Sequence, residues 1–311
     1  YVYKSMRFSK DGDLTSEELQ AILDAYKNSH PLGQDNPLER LEKCGSHVYH
    51  PTQAFTWNYL AGYEAVKQEV KDSLILPFSH PDVYDRMAKG TRKVYESNRP
   101  RAVLFEGPPG TGKTTMARII AGEVKVPLVY LPLESIMTKW YGESERNLSR
   151  VFQYCKEMGS TIIFLDEIDA LATSRDNPSS HEATRRVLSV LLREIDGFLP
   201  NDKTLLVGAT NRKGDLDAAL ISRFDLSIPF PLPNVDERSA IFANYAQHLS
   251  SLDLESLATG SEGLSGRNIK DVCEHAERKW ASKVVSGTAT EELPSIDEYI
   301  HAIKSRKMNR I

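Results

Sequence analysis

Between residues 100 and 230 the chain alternates short apolar runs with stretches whose apolar positions recur every three or four residues. The runs are "RAVLFEG", "PLVYLPL", "TIIFLDEI", "TLLVGAT" and "LSIPFPL". Each is continuous rather than alternating, which predicts strands buried on both faces of a parallel sheet covered by helices. The expected fold class is α/β, a doubly wound parallel sheet of five strands. Past "PFPLPN" strand character ends, and "VDERSAIFANYAQHL" and "GRNIKDVCEHAERKWASKVV" predict a small all-helical domain. Near the start, Thr15 and Glu18 form a capping box ahead of Leu19, Ile22, Leu23 and Tyr26, which share one helical face. The expected organisation is an N-terminal extension over 1–50, a large α/β domain over 51–230 and a helical domain over 231–311.

Composition narrows the classes of function. At 311 residues and 40% hydrophobic the chain can bury a large core, and it reads as soluble and globular. Its 39 Lys and Arg nearly balance 43 Asp and Glu, so no overall field favours nucleic acid or an anionic membrane. No apolar run reaches the roughly 18 residues of a membrane span. The first residue is Tyr1 rather than Met, so upstream sequence, with any address or anchor, is expected to have been removed. Cys44, Cys155 and Cys273 are widely spaced, which fits buried thiols in a reducing compartment. "CGSHVYH", with Cys44, His47 and His50, lacks a fourth zinc ligand and reads as a loop.

The chemistry begins at "LFEGPPGTGKTTMARIIAGE". Gly107, Pro108, Pro109, Gly110, Thr111, Gly112, Lys113 and Thr114 fit G-x-x-x-x-G-K-[ST] between a predicted strand and a predicted helix, with Thr115 following. Glycines let the backbone curl so that its N–H groups point at phosphate oxygens. Lys113 would reach the β- and γ-phosphates, and Thr114 would hold magnesium. The run "TIIFLDEIDAL" ends in Asp166 and Glu167, at the edge of the sheet where ligands bind in such folds. Asp166 would orient magnesium, and Glu167 would polarise the water that attacks the γ-phosphate.

From about Phe55 onward the chain resembles the AAA ATPases of the group that includes katanin, spastin and valosin-containing protein. The resemblance rests on "YLAGYEAVKQEVKDSLILPF", "GPPGTGKT", "KWYGESE", "IIFLDEID", "GATNR", "LDAALISRFD" and "GLSGRNI". It implies that Ala61 and Gly62 meet the adenine and that Asn211 is sensor 1, holding the water in line. It implies that Arg223 is an arginine finger reaching the neighbouring subunit's nucleotide, or else a surface ion pair with Asp225. Many relatives have a second arginine where this chain has Ser222. Arg267, after Gly266, stands where close relatives have alanine; it either contacts the phosphates as sensor 2 or faces solvent at a helix start. Tyr245 falls near the family's base-contacting position.

The same resemblance makes Lys139, Trp140, Tyr141 and Gly142 a first pore loop, whose aromatic faces would grip an extended polypeptide in a hexamer. His181, Glu182, Arg185 and Arg186 would belong to a second. The reading is an ATP- and magnesium-dependent mechanoenzyme, a homo-oligomer acting on polypeptide, with any adaptor bound through upstream sequence. A nucleotide-gated scaffold is the alternative, and a nucleic-acid motor lacks the charge. "HEATR" is not H-E-x-x-H, which argues against a membrane AAA protease despite "EIDGF".

Overall fold

The computed structural model describes residues 37–51, 55–133, 143–171, 178–198, 203–289 and 293–308, without the side chains of 178–183. The chain divides into two units, 1–40 and 41–311, and the sheet and all functional geometry lie in the second. The capping box at Thr15 and Glu18 falls outside the described residues, as do Lys139, Trp140, Tyr141 and Gly142.

Helix α1 (Pro37–Lys43) leads into strand β1 (His47–Tyr49). A single 3₁₀ turn, Trp57–Tyr59, precedes α2 (Glu64–Val70), which widens into a π turn, Lys71–Ile75, and continues as α3 (Leu76–Ser79). Pro77 lacks an N–H and crowds the turn before it, and the wide turn ahead of it relieves that clash. α4 (Pro81–Thr91) follows. The strands and helices then alternate: β2 (Ala102–Glu106), α5 (Lys113–Val124), β3 (Leu128–Pro132), α6 (Glu143–Met158), β4 (Thr161–Asp166), α7 (Pro178–Asp196), β5 (Thr204–Thr210), α8 (Ala218–Ile221) and β6 (Leu226–Pro229). Four helices close the chain: α9 (Val235–Tyr245), α10 (Ser251–Gly260), α11 (Gly266–Val285) and α12 (Ile296–Met308).

All five apolar runs are strands, in the order β1-β3-β4-β5-β2-β6. β2 to β6 are parallel, and β1 pairs antiparallel with β3, placing His47 opposite Tyr130 and Tyr49 opposite Leu128. The sheet therefore has six strands where five were expected, and "HVY", expected to be a loop, supplies the sixth. Alternate residues of each strand serve different cores. Val103, Phe105, Ile162, Phe164 and Val207 pack with α5 and the terminal helices, while Leu104, Ile163, Leu165 and Leu206 pack with α6 and α7. Continuous apolar runs are what a sheet covered on both faces requires.

Three of the terminal helices begin with reciprocal capping boxes: Asn234 with Glu237, Ser250 with Asp253, and Ser265 with Asn268. Arg238, buried in α9, donates to the carbonyls of Ala258 (2.8 Å) and Pro233 (2.7 Å) and so ties α9 to the end of α10. No helix among the described residues is long and apolar enough to cross a membrane.

Candidate active site

Strand order builds the site. β4, β5 and β2 are neighbours, so their carboxyl ends lie side by side, and each ends in chemistry: Asp166 on β4, Asn211 just after β5 and Gly107 just after β2. These ends, the start of α5, the C-terminal part of α9 and the N-terminal part of α11 border a cavity of about 620 Å³. Its polar end carries Gly110, Lys113, Thr114, Asp166, Glu167 and Asn211, and its apolar end Phe55, Leu60, Ala61, Ile241 and Tyr245.

The loop after β2 turns tightly. Gly107, Gly110 and Gly112 have φ of +146°, +79° and +98°, in the region that side-chain-bearing residues rarely adopt. Space is closed to them as well: a Cβ on Gly107 would lie 2.1 Å from the Phe230 carbonyl oxygen, and one on Gly110 would lie 2.7 Å from the Arg267 Cβ. The Thr111 hydroxyl donates to the Pro108 carbonyl, which braces the turn.

Lys113 folds back over this loop. Its Nζ donates to the carbonyls of Gly107 (2.6 Å) and Pro108 (2.9 Å) and to Asn211 Oδ1 (2.9 Å). Burial pulls its ammonium down to about 8, with Arg267 adding to the fall and Asp166 and Asp169 opposing it. Asp166 Oδ2 accepts from the Thr114 hydroxyl (3.1 Å) and the Tyr130 hydroxyl (3.2 Å), while Oδ1 accepts from the Glu167 N–H (3.0 Å). Glu167 stands at φ +55°. Asp169 Oδ1 accepts from the Thr210 hydroxyl (2.9 Å) and the Asn211 N–H (3.1 Å), fixing the turn that presents Asn211. Neither Tyr130 nor Asp169 was singled out by the sequence; Asp169 was visible in "DEID", whereas Tyr130 had no signal beyond lying in a strand.

The terminal helices close over the loop. The Arg267 N–H donates to the Gly110 carbonyl (3.1 Å), so Gly266 and Arg267 start α11 directly against the phosphate loop, and Arg267 borders the cavity. Ala61 borders it too. Gly62 does not: its vacant Cβ position lies 2.9 Å from Glu237 Cβ, so its smallness serves contact with α9 rather than with a base. Next to it, Tyr63 donates its N–H to Glu237 Oε1 (3.1 Å) and its hydroxyl to the Pro231 carbonyl (3.1 Å).

Arg223 does not border the cavity. Its Nε donates to Asp196 Oδ1 (2.9 Å), at the end of α7 in "EIDGF", and NH1 to the Ser222 hydroxyl (3.2 Å). The alternative ion pair with Asp225 is not formed. Asp225 instead accepts the N–H groups of Arg101 (2.7 Å) and Ala102 (3.1 Å) at the start of β2. His181 and Glu182 lie in α7 with side chains outside the description; in the same helix Arg186 pairs with Glu145 of α6.

These groups fit a nucleoside triphosphate and its metal. Positive-φ glycines at a helix start suit phosphate, and a hydroxyl beside a carboxylate supplies the hard oxygens that magnesium prefers.

Known proteins resemble this chain in sequence and in fold. The family model described as "ATPase family associated with various cellular activities (AAA)" matches residues 103–232. Fidgetin-like protein 1 of Caenorhabditis briggsae is 30% identical over 281 residues, 88% of this chain and 45% of that protein. The proteasome-activating nucleotidase of Pyrococcus horikoshii is 34% identical over 227 residues, 71% of this chain and 55% of that protein. The chain thus spans about half the length of these curated relatives. The crystal structure of the FIGL-1 AAA domain in complex with ADP superposes with a TM-score of 0.69 at 25% identity, covering 88% of this chain and 92% of that one.

Proposed function

We propose that this chain, whose residues 103–232 match the model of the AAA family of ATPases, hydrolyses ATP with magnesium, within a ring-shaped hexamer, to unfold, extract or remodel protein substrates. The observation that carries the proposal is the meeting of Lys113, Thr114, Asp166 and Asn211 at three adjacent strand ends. In it, Gly107 to Thr115 cradle the phosphates and Lys113 exchanges its carbonyl partners for the β- and γ-oxygens. Thr114 and Asp166 would hold magnesium, which would supply positive charge to offset that of the phosphates. Glu167 takes a proton from the attacking water, worth about 10²- to 10⁴-fold in rate, and Asn211 holds that water in line. Ala61 and Tyr245 flank the base, and Arg267 senses the phosphates from the helical part, treated as a lid domain over 231–311.

Arg223 acts on the neighbour's nucleotide. In support, its guanidinium pairs with Asp196, the residue is not among those bordering its own cavity, and the side chain is 39% exposed. Work on protein is supported by the nucleotidase relative, whose name couples it to a proteasome. Lys139, Trp140, Tyr141 and Gly142 are then the gripping loop, with His181 and Glu182 in a second.

The test compares wild type, Glu167→Gln and a Trp140→Ala, Tyr141→Ala double variant. Glu167→Gln is expected to keep nucleotide binding, lose at least about a hundredfold in turnover and accumulate as an ATP-bound ring by light scattering. The double variant is expected to hydrolyse ATP without processing an unfolded protein substrate. Unimpaired turnover in the first removes the assigned base, and normal substrate processing in the second removes the threading mechanism.

A further inference from the structure

We infer that Tyr130 is a positioning residue for the metal-holding carboxylate, and that strand β1 exists at the sheet edge to keep it in place. The inference rests on the reading of Asp166 given above and deepens it.

Tyr130 lies in the middle of β3, opposite Phe164 of β4 on one side and His47 of β1 on the other. Asp166 is two residues beyond Phe164, so Tyr130 and Asp166 are diagonal neighbours on one face of the sheet, a separation that a long aromatic side chain spans. The Tyr130 hydroxyl ends 3.2 Å from Asp166 Oδ2 and donates to it. The ring is confined from both flanks. It stacks on Phe164 at 5.9 Å and 19°, meets Tyr49 edge-on at 6.2 Å and 76°, and stacks on His47 at 6.4 Å and 24°. Tyr49 is itself fixed: its hydroxyl accepts from Arg118 NH2 (2.9 Å), and that guanidinium lies 4.3 Å from the centre of the Tyr49 ring.

One carboxylate oxygen therefore receives two hydroxyls, Thr114 from α5 and Tyr130 from β3. Thr114 can turn its lone pairs to a metal while its proton stays on Asp166. Tyr130 is carried by a different element, has no second task in the cavity, and fixes the carboxylate plane from behind. Partners behind a metal ligand set how well that ligand is presented. Without β1 the Tyr130 ring would lose its contacts with His47 and Tyr49 and keep that with Phe164.

The test is the Mg²⁺ dependence of binding of a fluorescent ADP analogue, titrated with MgCl₂ and repeated in EDTA. Tyr130→Phe keeps the ring and removes one oxygen. It is expected to leave affinity in EDTA within about twofold of wild type and to raise the Mg²⁺ half-saturation roughly tenfold. In an Asp166→Ala background the same change is expected to add nothing. An unchanged half-saturation, or an equal loss with and without Mg²⁺, would overturn the role of Tyr130. Should Tyr130→Phe not fold, Tyr49→Leu on the edge strand carries the same test, with a rise of roughly threefold expected and no change overturning it. A wild-type protein whose binding ignores Mg²⁺ would instead overturn the reading of the site; intact dependence in wild type that survives in both variants sinks this inference alone.

Discussion

The two ends of the cavity are held by different means. At the phosphate end, Asp166 and the residues following β2 and β5 sit on adjacent parallel strands, locked by paired backbone and by glycines that leave no room for a Cβ. At the apolar end, Phe55 to Ala61 come from one side and Ile241 and Tyr245 from the terminal helices. Leu60 and Tyr63 share an apolar cluster with Ile241 and Phe242, and the polar contacts that join these two sides include Tyr63 on Glu237 and Pro231 and Asn244 Nδ2 on the Asn58 carbonyl (3.2 Å), with Gly62 packed against Glu237. One end is part of the sheet, and the other is an agreement between two layers. Phosphate recognition should therefore be rigid, while base recognition should follow any movement of the terminal helices.

The largest break in this contrast is expected from Gly107→Ala. The new Cβ, 2.1 Å from a carbonyl of the chain that follows β6, meets backbone that is itself paired, through the Phe230 N–H, to Glu106. About 3 kcal/mol or more of destabilisation follows, seen in calorimetry as a melting temperature lower by about 6 to 12 °C, with ATP turnover lost. Gly62→Ala should act on the other end alone. At φ +70° and 2.9 Å from Glu237 Cβ it strains the joint between layers by about 1 to 2 kcal/mol. Calorimetric titration should show ATP affinity falling by roughly threefold or more while tripolyphosphate, which lacks a base, binds as before; equal losses for both ligands would erase the distinction.

The smallest effect is kinetic. Burial pushes the thiols of Cys155, under the sheet, and Cys273, in α11, up to about 12, so neither is a nucleophile in the closed protein at pH 8. A raised folded pKa means that the neutral thiol favours the folded state. That contribution is intact below the ordinary thiol value of 9.0 and is lost as pH rises from there through 12. Alkylation at pH 8 must then pass through local opening, and mass spectrometry should find Cys273 modified before Cys155 if the terminal helices open more readily than the sheet.

The parallel strands were legible because burial on two faces leaves uninterrupted apolar runs, and the phosphate loop because glycine spacing and strand-to-helix context coincide. β1 was not. Three residues within "CGSHVYH" carry no period, and their pairing depends on β3, some eighty positions away, for partners. Tyr130 was hidden for a related reason: its polar tip matters only because β4 lies alongside, and sequence shows an aromatic residue in a strand. Gly62 was recognised as a place of close approach, but the approaching group is Glu237, 175 positions later. Arg223 was read as an arginine finger, with a surface ion pair to Asp225 as the alternative; Asp225 is spent on backbone N–H groups at the start of β2, and Arg223 pairs with Asp196 of α7 instead. For Gly62 and Arg223 a local motif announced that something meets there, and only the folded chain said what.

Glu167 holds its carboxylate on a backbone turned to φ +55°, an orientation that costs an ordinary residue roughly 1 kcal/mol and costs glycine almost nothing. On the role proposed for Glu167, endurance and turnover pull that position in opposite directions, because the residue most at ease there brings no carboxylate to a water molecule. A programme of heat-hardening this protein, judged by survival alone, would find one of its easier gains in silencing it.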